Sequence, residues 1–241
     1  MTDHGFMASD THDAILEGIY ALYPTSRRYP LKETHTQITH VAHGWYMRVK
    51  RSCRSVMVLR EAGYAAEAWP VRRAVIEHML ALRWLAEKGN EAKDVVVRTH
   101  GETARRRQRA AADAEWSSAG WPIWGEVRED ASAAASNIAE DNMLTNVYER
   151  CARYGVPGDY ASWLIETNHS HPGWETASPY LERSPTKLLT QPKFDQDLGD
   201  AEFCARRLLR SLVALSDMTL ESPWDSDITD LMVRLTTLTD A

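Results

Sequence analysis

The chain holds only three cysteines in 241 residues, Cys53, Cys151 and Cys204, and no two of them form a CxxC pair. Scattered thiols of this kind build neither a disulfide framework nor a paired-cysteine zinc site, and they point to a reducing cytoplasm. Glycine is also sparse, at 12 residues, which excludes Gly-rich linker or fibrous segments. No uninterrupted apolar run approaches the roughly 20 residues needed to cross a bilayer, so no membrane partner is expected. The opening MTDHGFMASDTHDA is polar and slightly acidic, unlike a secretory leader. Neither GxSxG, nor a P-loop, nor a dinucleotide fingerprint occurs, and no cofactor is expected. Positive charge is not in excess: 28 Lys and Arg stand against 34 Asp and Glu, a net charge of −6. That balance argues against a protein built mainly to coat nucleic acid, while leaving room for a local basic face.

What is present is a core. Hydrophobic residues make up 44% of the chain, with nine tryptophans, enough for one well-packed domain. The reading is a single all-α bundle of about six to seven helices over residues 31–241. An N-terminal extension, residues 1–30, carries a short helix around DAILEGIYALY. Ile38, Val41, Ala42, Trp45, Val49, Cys53, Val56 and Met57 recur at three- and four-residue steps and predict a long helix over 32–62, stopped by Gly63. The next helix, 64–88, is apolar nearly all round: Val71, Ala74, Val75, Met79, Leu82 and Leu85 cover one side, Ile76, Leu80 and Trp84 the other. Such a helix is buried, and the two long helices are expected to form a central hairpin. Further helices are predicted over 92–115, 131–153, 159–168, 200–220 and 225–239, with Asp159 as an N-cap. No segment reads as a strand.

The central helix nonetheless carries Arg73, Glu77 and His78 in WPVRRAVIEHML. Arg73 and Glu77 are four apart and share a face with Leu80 and Trp84, so they are expected to pair and to be partly buried. The bland reading is a packing salt bridge; the functional one is a polar pocket facing substrate or RNA phosphate. His78 lies roughly 140° from Arg73 around the helix. A second cluster, YASWLIETNHSHPGW, supplies Tyr160, Glu166, His169 and His171. Glu166 and His169 make half of the ExxH ligand set of di-iron bundles. The second ExxH is absent, although His40 and His43 add imidazoles. No metal is therefore the leading expectation; if one is present, Glu77, Glu166, His169 and His171 are its candidate ligands. Binding candidates are Arg105 and Arg106 in ARRRQR, which could track a phosphate backbone, and Trp121 and Trp124 (with Trp116) in a Trp- and Gly-rich segment.

Leu59, Arg60, Gly63, Glu67, Ala68, Arg73 and Glu77 together resemble the first motif of an all-helical bacterial family of unknown function, with Tyr160 and His169 or His171 falling on its later motif. The resemblance runs over roughly residues 35–172. More weakly, Arg73-x4-His78 is similar to the signature of HEPN ribonucleases, helical proteins whose Arg and His cleave RNA without metal, usually across a dimer interface. Those families often place an Arg before the later His, whereas no Arg lies between Tyr160 and His171 here. The HEPN resemblance implies a metal-independent ribonuclease or RNA-binding protein of stress or phage defence, with Arg73, Glu77, His78 and His171 as the catalytic set. A cytoplasmic homodimer is expected. Two rivals stand beside this: a non-catalytic interaction or small-molecule-sensing protein, and a helical metalloenzyme.

Overall fold

The computed structural model describes residues 4–22, 30–113, 138–181, 189 and 199–239. Within these the chain is all-α, with an isolated antiparallel bridge between Leu31 and Thr219. The helices are α1 (His4–Leu22), α2 (Thr39–Glu61), α3 (Trp69–Lys88), α4 (Ala92–Asp113), α5 (Ile138–Thr145), α6 (Val147–Tyr154), α7 (Asp159–Asn168), the single turn α8 (Trp174–Ala177), α9 (Asp200–Met218) and α10 (Asp225–Thr239).

Apolar patterning explains the layering. On α3, Val75, Ile76, Met79, Leu80, Leu82, Trp84 and Leu85 are all inaccessible to solvent, as an all-round apolar helix requires. α2 lies against α3 as the expected hairpin, and α9 packs on both. On α9, Phe203, Cys204, Ala205, Leu208, Leu209, Leu212 and Leu215 are buried, so the core is centred on three helices, not two. Each fully buried Leu or Ile there contributes about 1.5–3 kcal/mol. Ile15, Leu16 and Ile19 of α1 are buried in the same core, and α1 packs on α9 and α10. Thus the short helix expected in the N-terminal segment packs onto the bundle through Ile15, Leu16 and Ile19.

Several boundaries differ from the sequence expectation; the helix expected from 64 begins at Trp69, after a 3-10 turn, Ala65–Ala68. The helix expected from 32 begins as a 3-10 turn, Glu33–Ile38. Asn90 pins that turn by accepting from Gln37 N–H at 2.8 Å and donating to the Glu33 carbonyl at 3.0 Å. The close approach needs Gly89, whose φ is +56° and where a Cβ would stand 2.4 Å from the Thr34 carbonyl. The helix expected over 131–153 is two helices, because Asn146 takes an extended backbone and its Oδ1 caps α6 through Tyr148 and Glu149 N–H; residues 131–137 lie outside the described part. Asp159 is the first residue of α7 and not its N-cap, a place taken by Gly158. Its carboxylate instead accepts from Val156 N–H at 2.9 Å and from Arg210 at 2.7 Å.

Candidate functional site

The adjacent arginines of α3 point to different environments. Arg72 turns inward, on the same face as Val75, Ile76 and Met79. Its Nε donates to Glu166 Oε1 of α7 at 2.8 Å, and its Nη1 pairs with Asp200 at the start of α9. Two guanidinium groups lie over the Phe203 ring, Arg72 at 4.0 Å and Arg207 at 3.8 Å from its centroid. Burial alone would lower the Arg72 pKa, but the two carboxylates more than restore it. Burial pushes Glu166 up to about 6 in spite of Arg72 and Arg207. This network ties α3, α7 and α9 together and sets where the outer face of α7 lies.

On that face sits the second arginine. Arg73 Nε donates to Glu77 Oε1 at 2.9 Å, and Trp163 of α7 donates its indole N–H to the same oxygen at 2.9 Å. The Arg73 guanidinium stands 5.3 Å from the Trp163 ring centroid. Its Nη1 donates to His171 Nε2 at 3.1 Å. A guanidinium has only donors, so His171 accepts here and carries its ring proton on Nδ1. Burial raises the Glu77 carboxyl, but the hydrogen bonds from Trp163 and Arg73 and the charges of Arg73 and Arg150 outweigh it and leave it below the ordinary carboxylate range. Tyr160 extends the aromatic surface, stacked on Trp163 at 5.9 Å and meeting Tyr148 edge-on at 5.1 Å. Arg73 and Glu77 side chains are 29% and 27% exposed, so the group is open to a ligand.

Glu77 also lines a cavity of about 380 Å³ on its other side, together with His78, His100, Arg107, Arg150 and Trp45. His78 donates Nδ1–H to the Ala74 carbonyl at 2.7 Å, which leaves Nε2 as an acceptor. Burial, with Arg48 nearby, pushes the His78 pKa below its ordinary value, and the ring is neutral at pH 7. Arg150 is buried and reaches the Glu77 carbonyl at 3.5 Å, and among the described residues its Nε has no hydrogen-bond partner.

The two sequence clusters therefore meet at Arg73 and His171, with Tyr160 close by. His78 lies on the cavity side. Glu166 points inward to Arg72, and His169 stacks on Trp69 with centroids 4.2 Å apart. Among the described residues no three His, Cys, Asp or Glu side chains converge as a metal site, so Glu77, Glu166, His169 and His171 share no common point. Arg105 and Arg106 fold back with Arg109 onto Glu102 at 3.6, 3.0 and 3.5 Å, and it is Arg107 that reaches the cavity. Trp116, Trp121 and Trp124 lie outside the described residues. Sequence reasoning missed Arg72, Arg150 and Trp163. The register that puts Arg72 three, four and seven residues before Val75, Ile76 and Met79 was the available signal for a buried, paired guanidinium.

A family model, described as a family of unknown function (DUF5677), matches residues 39–187, from the first residue of α2 to beyond α8. The chain belongs to DUF5677. The match takes in every residue of the Arg73 group and the Glu77 cavity, and leaves α1, α9 and α10 outside. No curated protein and no solved structure matches the chain. Among the described residues no helix is long and apolar enough to cross a membrane.

Proposed function

We propose that this DUF5677 protein binds single-stranded RNA across the Arg73–Glu77–His171 group and cleaves it without a metal, in the manner of HEPN-like ribonucleases. The observation that carries the reading is the 3.1 Å contact between Arg73 and His171, a cation suited to phosphate beside an imidazole suited to proton transfer. An incoming phosphate takes over the Arg73 Nη1 donor and frees His171 Nε2. That nitrogen then removes the proton from the ribose 2′-hydroxyl; the 2′-oxygen bonds to phosphorus, and the bond to the 5′-oxygen breaks. The products are a 2′,3′-cyclic phosphate and a 5′-hydroxyl end, the latter taking its proton from imidazolium or water. Glu77 holds Arg73 in place, and the Tyr160–Trp163 stack offers ring faces to unpaired bases. His78, across Glu77 in the cavity, is the second candidate for acid/base work.

The test is a labelled single-stranded RNA incubated with the protein in chelator. Cleavage that falls at least 100-fold in His171→Ala, with RNA binding retained, and loss of both in Arg73→Ala, is expected. If both variants bind and cleave as the wild type does, the reading fails. RNA binding without cleavage in any of the three proteins selects the non-catalytic alternative.

A further inference from the structure

Arg83 of α3 is half-buried and makes no ion pair or hydrogen bond among the described residues. It borders a cavity of about 520 Å³ enclosed by α3, the first turn of α7, α9 and α10. The cavity wall brings Arg83, Arg206, Arg207 and Arg210 together with only two carboxylates, Asp159 and Glu202. Both carboxylates are already engaged. Glu202 accepts from Arg206 at 2.7 Å, and Asp159 takes Arg210 at 2.7 Å and Arg207 at 3.8 Å. Arg83 thus stands at the wall without an ion pair among the described residues; burial and the neighbouring Arg210 press its pKa down, and the more distant charges of Asp217 and Asp159 do not make this up. A partly desolvated guanidinium without an acceptor is costly, and an anion would relieve it. The rest of the wall is mainly apolar, with Val156, Leu209, Val213, Met232 and Leu235 beside the hydroxyls of Ser162 and Thr236. A second hollow of about 420 Å³ is also lined by Arg83 and Val213, together with Glu87 and Asp217.

We propose that this cavity binds a medium-chain acyl carboxylate, with its head paired to Arg83 and its chain laid against Val213, Met232 and Leu235. The volume is in the range of small-molecule sites, which combine apolar walls with few placed polar groups. A bare inorganic anion would leave those walls wet, and an uncharged alkyl ligand would leave Arg83 unmet. The site is separate from the Arg73 group, and two of its four elements, α9 and α10, lie outside the residues matched by the family. It does not depend on the RNA reading.

Calorimetric titration of the full chain with decanoate, below its micellar concentration, tests the site. A saturable one-to-one isotherm is expected, weakened at least tenfold in Arg83→Gln. That variant should keep its fold, because Arg83 makes no ion pair or hydrogen bond among the described residues. Met232→Glu, at a side chain on a half-exposed residue, should weaken binding comparably by placing a negative charge beside the chain. Arg73→Ala should bind decanoate as the wild type does. No saturable binding, or equal affinity in Arg83→Gln, overturns the proposal. So does inorganic phosphate binding as tightly as decanoate, or decanol doing so.

Discussion

Replacing Glu166 by Gln should change how stability depends on pH in a defined direction. Glu166 is 1% exposed, with Arg72, Arg207 and Asp200 around it, and its carboxyl is raised from 4.5 to about 6. The folded state therefore binds a proton more tightly than the unfolded chain does. Stability from this group is fully present below about 4.5 and is lost as pH rises through about 6. At 1.36 kcal/mol per pH unit, the gap between 4.5 and about 6 is worth about 2 kcal/mol. Glutamine cannot ionise, and its amide oxygen can still accept from Arg72 Nε. Relative to the wild type, Glu166→Gln should thus gain about 2 kcal/mol between pH 4 and pH 7. Urea unfolding followed by tryptophan fluorescence measures it. With a slope of about 2–3 kcal/mol per molar, the difference between the two midpoints should grow by about 0.7–1 M over that range. Parallel curves would refute the reasoning, and so would a wild type that gains on the variant as pH rises, because the carboxylate would then be held in its charged form.

His78 gives the opposite sign. Its pKa is lowered by burial in the folded state, so its contribution is present above about 6.5 and is lost as pH falls, and His78→Gln should flatten the decline in stability between pH 6.5 and 5 seen in chemical denaturation of the wild type. Leu208→Ala, at the centre of α9 and inaccessible to solvent, should cost about 3 kcal/mol and lower the melting temperature by roughly 6–12 °C in calorimetry; a loss under 1 kcal/mol would mean that α9 is not part of the central core.

The fold was legible wherever apolar spacing was dense. Val75, Ile76, Met79 and Leu82 mark α3 as buried without any structure, and Phe203, Leu208, Leu212 and Leu215 mark α9. What spacing could not show was rank. α9 carries Arg206, Arg207 and Arg210 among its apolar residues, and its spacing alone does not rank it beside α2 and α3 at the centre. Yet Arg207 is buried because Asp159, at the start of another helix, is there to meet it, at 3.8 Å. Long-range partners of this kind leave no trace in local periodicity. The same holds for α1, whose burial depends on α9 and α10 lying across it. The break at Asn146 is different, since the Asn and the Glu three residues later are a visible capping signal that a continuous helical period masks.

The site was half legible for a related reason. An i,i+4 Arg–Glu pair announces itself, and Arg73 and Glu77 pair as their spacing requires. That His171, 98 residues later, is Arg73's other partner could be guessed only as a meeting of two polar clusters. The residue that brings them together is Arg72, whose partners Glu166 and Asp200 lie 94 and 128 residues away and leave no mark in local spacing. About 100° separates successive residues on a helix, so Arg72 and Arg73 face different surroundings although they are chemically identical. Arg72 anchors Glu166 near the end of α7, and Trp163, three residues earlier, is thereby held where its indole reaches Glu77. Removing Arg72 would leave two buried carboxylates uncompensated and release α7 from α3, whereas removing Arg73 takes away a partly exposed pair worth little to stability. The two arginines divide the work: one fixes the position of α7, and the other uses it.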